Sequence, residues 1–168
     1  MTYLKENTKN ALELIAQFCT EHELSVSCAE SCTAGGIAYA LTEIEGASSW
    51  FRESYVTYAN SAKMHLVNVD AATLEQYGAV SEPTVIAMAS GCCARAKADI
   101  GISVSGIAGP AGGSVEKPVG TVWFAWSITG NIVTAKQVFS GDRTAVRKAA
   151  IDFAIIELAR QLTSNTSR

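Results

Sequence analysis

The segment Ala29-Glu30-Ser31-Cys32-Thr33-Ala34-Gly35-Gly36 sets a hydroxyl and a thiol side by side in what reads as a strand-to-helix turn. A hydroxyl placed there lies next to the free backbone N–H groups of a helix start, which suits a nucleophile whose attack leaves an oxyanion. Serine is also a preferred N-cap, and position alone favours that role for Ser31. Cys32 offers a second nucleophile, since a thiolate at a helix start is activated.

A serine nucleophile needs a base. The two histidines, His22 and His65, stand apart from any turn of interest, so a Ser-His-Asp triad has little support. Lys63 is the better candidate. At the ordinary lysine pKa of about 10.4 only about one lysine in 2,500 is neutral at pH 7, so burial or cationic neighbours must lower that value before Lys63 can act. On the sequence alone, a solvated helix lysine is the simpler reading.

Two further features suit an anionic ligand. The run Gly106-Ile107-Ala108-Gly109-Pro110-Ala111-Gly112-Gly113-Ser114 is too Gly-dense to be regular structure and can wrap a phosphate with backbone N–H groups. It matches neither the P-loop nor the dinucleotide-binding fingerprint. Arg143 falls in the first turn of a helix, where its fork suits phosphate oxygens, although a surface arginine fits equally well. Tyr58 falls at a strand end near Lys63, where its ring can stack or its phenol steer a proton.

These residues need elements to hold them. Leu12, Ile15, Ala16 and Cys19 recur at helical spacing, and Ser25 to Ala29 then reads as a strand leading into the Ser31 turn and a helix over Ile37 to Thr42. Phe51 to Tyr58 is aromatic and β-branched, a second strand, with a short helix beginning at Ala59 to Lys63. Ser81-Glu82-Pro83-Thr84 starts a helix whose stripe is Val85, Met88, Ala89, Cys92 and Ala96. Asp99 to Ser105 is a third strand, Val119 to Ile128 and Ile132 to Phe139 form a hairpin about Thr129-Gly130-Asn131, and Gly141-Asp142 caps a long helix with the stripe Val146, Ala149, Phe153 and Ile156. Helices alternating with strands predict an α/β class fold, a three-layer α/β/α sandwich on a mixed, mostly parallel sheet. Strand ends in such a sheet gather into one crevice, so Ser31, Lys63, Ser105 and Arg143 can face a common ligand.

Bulk composition narrows the function classes. The 168 residues, 48% apolar, suffice for one core, and a single domain over residues 1–168 is expected, with fraying from Thr163 to Arg168. Thirteen basic and 16 acidic residues are scattered, which leaves no field for a nucleic-acid backbone. No run approaches the about 20 apolar residues of a membrane span, and the start of the chain is unlike a signal peptide. Five cysteines, an odd number set mostly in apolar stretches, read as free thiols of a reducing compartment, and two isolated histidines argue against structural zinc.

Five segments occur in order: Ala29-Glu30-Ser31-Cys32-Thr33, Tyr58-Ala59-Asn60-Ser61-Ala62-Lys63, Gly78-Ala79-Val80-Ser81-Glu82, Ser105-Gly106-Ile107-Ala108-Gly109-Pro110 and Glu116-Lys117-Pro118-Val119-Gly120-Thr121. Together they resemble the C-terminal domain of the competence-damage-inducible CinA proteins, a family that includes stand-alone nicotinamide-nucleotide amidohydrolases. The resemblance runs from about Ala29 to Arg143. It implies a cytoplasmic bacterial enzyme that hydrolyses nicotinamide mononucleotide to nicotinate mononucleotide and ammonia, with no metal or organic cofactor, in pyridine nucleotide recycling. It implies Ser31 as nucleophile, Lys63 as general base and Tyr58 as helper, with Thr33, Gly35, Ser105, Gly106, Gly109 and Arg143 binding substrate. On this resemblance the chain is expected to be the small, stand-alone form without the larger domain that precedes this module in full-length CinA proteins, and the family's habit of association allows a homodimer or larger homo-oligomer. Where the family shows two glycines after Ser-Cys-Thr, this chain has Ala34 before Gly35. A methyl group there is expected to narrow the turn, which also raises the alternative of a catalytically weak paralogue acting as a nucleotide-binding or sensor module.

Overall fold

The computed structural model describes residues 4–165. Its elements run α1 (Glu6–Glu21), β1 (Val26–Glu30), α2 (Gly36–Leu41), a 3₁₀ turn (Ala47–Ser49), β2 (Phe51–Val56), α3 (Asn60–Val67), α4 (Ala71–Tyr77), α5 (Glu82–Ala96), β3 (Ile100–Gly106), β4 (Thr121–Ile128), β5 (Asn131–Val138) and α6 (Arg143–Asn165). The strands form one sheet in the order β2-β1-β3-β4-β5.

The expected three-layer sandwich on a mixed sheet is present, but its parallel character is weaker than expected. β1 pairs in parallel with β2 and β3, whereas β3 with β4 and β4 with β5 are antiparallel. The cause is local. No helix crosses over between β3 and β4, so the Gly-rich loop after Gly106 returns the chain directly alongside the strand it has just left.

Alternation along the strands assigns the faces. Val26 and Cys28 of β1, Ile102 and Val104 of β3, and Phe124 and Trp126 of β4 pack with residues of α1, α2 and α6. Ala29 of β1 turns to the other face, with Val67 of α3, Leu74 of α4 and Met88 of α5. Ser103 points the same way and donates to the Val85 carbonyl of α5 at 2.6 Å.

Two sequence readings shift. The buried stripe of α6 is Val146, Ala150, Ile151, Ala154, Ile155 and Leu158, while Ile156 is 39% exposed and Ala149 and Phe153 are half-buried. The helix packs on the sheet, α1 and α2 together, so its buried band is wider than one a/d seam and centred about one residue later. Helix α4 has no counterpart among the expected elements, because Leu74 is its one buried residue and a single residue carries no period. Asp142 does cap α6, accepting from the Ala145 N–H at 2.9 Å. Thr163 to Asn165 continue that helix instead of fraying, and the rest of the expected frayed end lies outside the described residues.

Gly91 fixes the distance between α3 and α5. A Cβ added there would lie 1.8 Å from the Val67 carbonyl oxygen at the end of α3, so only glycine permits the approach. Gly91→Ala is expected to lower stability by about 3 kcal/mol, read by urea denaturation. An unchanged midpoint would show that the two helices do not touch at this point.

Candidate active site

The Ser31 turn begins where β1 ends. Thr57 N–H donates to the Glu30 carbonyl at 2.7 Å and Ser31 N–H donates to the Val104 carbonyl at 3.0 Å, so the turn is pinned by both neighbouring strands. Since Glu30 is in register with Val104, Ser31 lies beside Ser105 at the adjoining strand end. The chain then reverses through Ala34 at φ +49° and Gly35 at φ +93° into α2. Alanine therefore takes up the left-handed conformation that glycine favours, at a cost of about 1 kcal/mol.

Lys63 comes to Ser31 from α3, where it closes the first turn. It is 1% exposed. Its Nζ donates to the Thr57 carbonyl at 2.8 Å and to the Ser31 Oγ at 3.1 Å. Burial holds its pKa below the usual lysine value of 10.5, because the charged amine has lost its water. In its neutral form an amine at this position can instead accept a hydrogen bond from the Ser31 hydroxyl. The simpler sequence reading, a solvated helix lysine, does not survive this burial.

Ser31, Lys63, Tyr58, Ser105, Gly106 and Arg143 share one cavity of about 210 Å³. No aspartate or glutamate lines it. Ser105, 1% exposed, has no hydrogen-bond partner for its hydroxyl among the described residues and opens into this space. At the rim Arg143 donates to the Gly109 carbonyl and to the Tyr58 hydroxyl, each at 2.9 Å, which ties α6 to the Gly-rich loop and to the β2–α3 connection. Gly109 itself is outside the lining. It holds φ +82°, and a Cβ there would lie 2.5 Å from Val119 Cγ1.

Thr33 and Gly35 are not brought to this cavity. They line a second depression of about 410 Å³ with Ala34, Tyr39, Thr144 and Arg147. The Thr33 hydroxyl is already committed to Glu30. Ala34 lines this same second depression and is not among the residues lining the Ser31 cavity.

Three contributors escaped the sequence reading. The Thr57 carbonyl is invisible to residue type. Asn60 lines the cavity from the first turn of α3, two residues from Tyr58 in a segment already marked by chemistry. Glu30 is fully buried and accepts from Thr33 Oγ1 and from the N–H groups of Gly35, Ile37 and Ala38. An acid ending a strand that is otherwise uncharged and wholly buried was the available signal.

Residues 8–162 match the family model described as the CinA C-terminal domain. The chain belongs to the CinA C-terminal domain family. It is 56% identical over 141 residues to the nicotinamide-nucleotide amidohydrolase PncC of Enterobacter agglomerans, covering 83% of this chain and 86% of that protein. It is 48% identical over 155 residues to the PncC of Escherichia coli K12, covering 92% and 94%. Among solved structures, the competence/damage inducible protein CihA of Agrobacterium tumefaciens superposes with a TM-score of 0.92 at 39% identity, over 97% of this chain and 99% of that one. In this CinA domain no described helix is long and apolar enough to cross a membrane.

The two candidate thiols differ in chemistry. Burial pushes the Cys32 thiol up to about 12, so it stays protonated at neutral pH and is a poor nucleophile beside Ser31. Cys93 is half-buried, and a hydrogen bond with Cys92 draws its pKa below the usual value. Alkylation of the folded protein with iodoacetamide at neutral pH is expected to label Cys93 before Cys32, read by peptide mass mapping. Preferential labelling of Cys32 would restore it as a nucleophile.

Proposed function

We propose that this CinA domain hydrolyses the carboxamide of nicotinamide mononucleotide to nicotinate mononucleotide and ammonia, with Ser31 as nucleophile and Lys63 as general base. The observation that carries the reading is the 3.1 Å contact between a buried lysine amine and a serine hydroxyl in a cavity free of carboxylates. The kinship with two nicotinamide-nucleotide amidohydrolases supplies the substrate.

The steps follow from the placement of the groups. Neutral Lys63 accepts the Ser31 proton as the Oγ forms a bond to the carboxamide carbon, and the carbonyl electron pair moves onto oxygen. The Cys32 N–H, which donates to no backbone carbonyl among the described residues, sits one residue beyond the nucleophile where it can meet that oxyanion. Lys63, now an ammonium, returns the proton to the amide nitrogen as the carbon–nitrogen bond breaks and ammonia leaves. A water, deprotonated by Lys63, then attacks the ester carbon, and the Lys63 ammonium passes that proton to Ser31 Oγ as the carbon–oxygen bond breaks and the acid leaves.

Arg143 and Tyr58 at the rim receive the ribose phosphate end. The guanidinium supplies a fork for phosphate oxygens, and the missing carboxylates spare the anion any repulsion. Ser105 and Gly106 border the ring, Gly109 orients Arg143, and Thr33 and Gly35 serve the turn that carries Ser31. Ala34 lies away from the reacting atoms, so the weak-paralogue alternative loses its motive. The reading carries with it a single cytoplasmic domain acting alone or as a homo-oligomer.

Purified protein is expected to release ammonia from nicotinamide mononucleotide, and Ser31→Ala and Lys63→Met to lose more than about a thousandfold in kcat, as for other nucleophile and base deletions. A loss below about tenfold in Ser31→Ala would exclude covalent catalysis by this residue. The pH dependence has a definite sign. The base acts when neutral, so kcat rises with pH through the lowered Lys63 pKa and the rise begins below the usual lysine value of 10.5. A rate that falls across that range would exclude a neutral lysine base.

A further inference from the structure

The side chain of Glu30 has no place in the steps above, yet it is the most heavily engaged polar group near them. It is fully buried at the end of β1. Its Oε2 accepts from Thr33 Oγ1, Gly35 N–H at 3.1 Å and Ile37 N–H at 3.0 Å, and its Oε1 accepts from Ala38 N–H at 2.9 Å and the Cys28 thiol at 3.6 Å. Every donor lies within residues 28–38, the stretch that contains Ser31. Among the described residues no cationic side chain pairs with this carboxylate, so its partners are hydroxyl, thiol and backbone amides alone. A buried carboxylate with that many fixed donors holds them to one geometry, because losing any of them strands a polar group away from water.

The main chain of the same residue closes a ring around the reacting pair. The Glu30 carbonyl accepts from Thr57 N–H, the Thr57 carbonyl accepts from Lys63 Nζ, Lys63 Nζ reaches Ser31 Oγ, and Ser31 is joined to Glu30 by a peptide bond. A rotation of the Glu30 backbone therefore moves the nucleophile and the anchor of the base together. The carboxylate also takes up the amides of Gly35, Ile37 and Ala38, while those of Cys32 and Thr33 donate to no backbone carbonyl among the described residues.

We propose that Glu30 is a positioning residue of this site: its carboxylate gathers the Thr33 hydroxyl and the α2 amides, and so sets the angle at which Ser31 meets Lys63 and the Cys32 N–H meets the developing oxyanion. The inference rests on Ser31 being the nucleophile. It assigns Thr33 to the same framework, as the hydroxyl that completes the Glu30 cluster.

The test uses the full chain and Glu30→Gln, which keeps shape but turns an NH₂ toward donors. Thermal unfolding by circular dichroism establishes that the variant folds. A fluorophosphonate probe then reads Ser31 reactivity without any nucleotide, and kcat and KM for nicotinamide mononucleotide are measured alongside. Labelling of Ser31 and kcat are both expected to fall about a hundredfold, the cost of a small misplacement of reacting groups, while KM stays near the parental value. A folded Glu30→Gln that labels and turns over at parental rates would overturn the assignment.

Should Glu30→Gln not fold, Thr33→Val carries the test. It is expected to lose about tenfold in labelling by removing one charge-assisted bond, and Thr33→Ser, which keeps the hydroxyl, to recover most of that loss. Equal labelling of Thr33→Val and the parent would overturn the assignment. Ammonia release by the parent tests the substrate separately. Its absence beside Glu30-dependent labelling would fault the substrate and support the positioning role.

Discussion

The structure is organised around one buried amine. Lys63 Nζ sits between the Thr57 carbonyl and the Ser31 hydroxyl, with no carboxylate in its cavity to balance a charge. Burying an ammonium without a counter-ion costs far more than burying the neutral amine, so burial shifts Lys63 toward the neutral form that the proposed base would need. Stability and chemistry are coupled at this residue. The close approach of α3 to α5 at Gly91 and the parallel pairing of β2 with β1 bring the lysine and its anchor to the Ser31 hydroxyl.

The two halves of the sheet divide the work. In the parallel half, the strand order reverses at β1: the chain leaves β1 for β2 on one side and returns through α3, α4 and α5 to β3 on the other. Crevices form at such points outside the carboxyl ends of the strands, and Ser31 and Ser105 stand at those of β1 and β3. The antiparallel half adds the loop that contains Gly109 and leads on to α6, which contributes Arg143. Ser31 and Ser105 thus come from the parallel centre and Lys63 from the helix that follows β2, while the rim is a lattice of one arginine, one phenol and a loop carbonyl.

The sequence made some of this legible and hid the rest. The Ser31 turn, the α5 start at Ser81 and the hairpin about Gly130 were readable because their signals are local: glycines, caps and alternation. The burial of Lys63 was not, because α3 has only Lys63 and Val67 buried and so no apolar stripe to mark which face is inward. Thr33 and Gly35 sit within four residues of Ser31 in sequence yet line another depression, since the Thr33 hydroxyl and the Gly35 N–H are both drawn to the buried Glu30 carboxylate. Glu30 was hidden for the opposite reason. Its role comes from five donors converging in space, and residue type at one position says nothing about convergence. The antiparallel half of the sheet was foreshadowed by the hairpin, but where the hairpin would attach depended on a loop whose path no periodicity encodes.

The central claim is that Ser31 carries the acyl group through a covalent intermediate. Its most direct measurement is rapid-quench peptide mass analysis of the protein mixed with nicotinamide mononucleotide during the first turnover. The account predicts an ester of the nicotinoyl nucleotide on the peptide containing Ser31, mapped to that residue, appearing with the first ammonia released and decaying as the acid forms. An adduct on Cys32 would contradict it, as would product formed over the first turnover with the Ser31 peptide unmodified throughout.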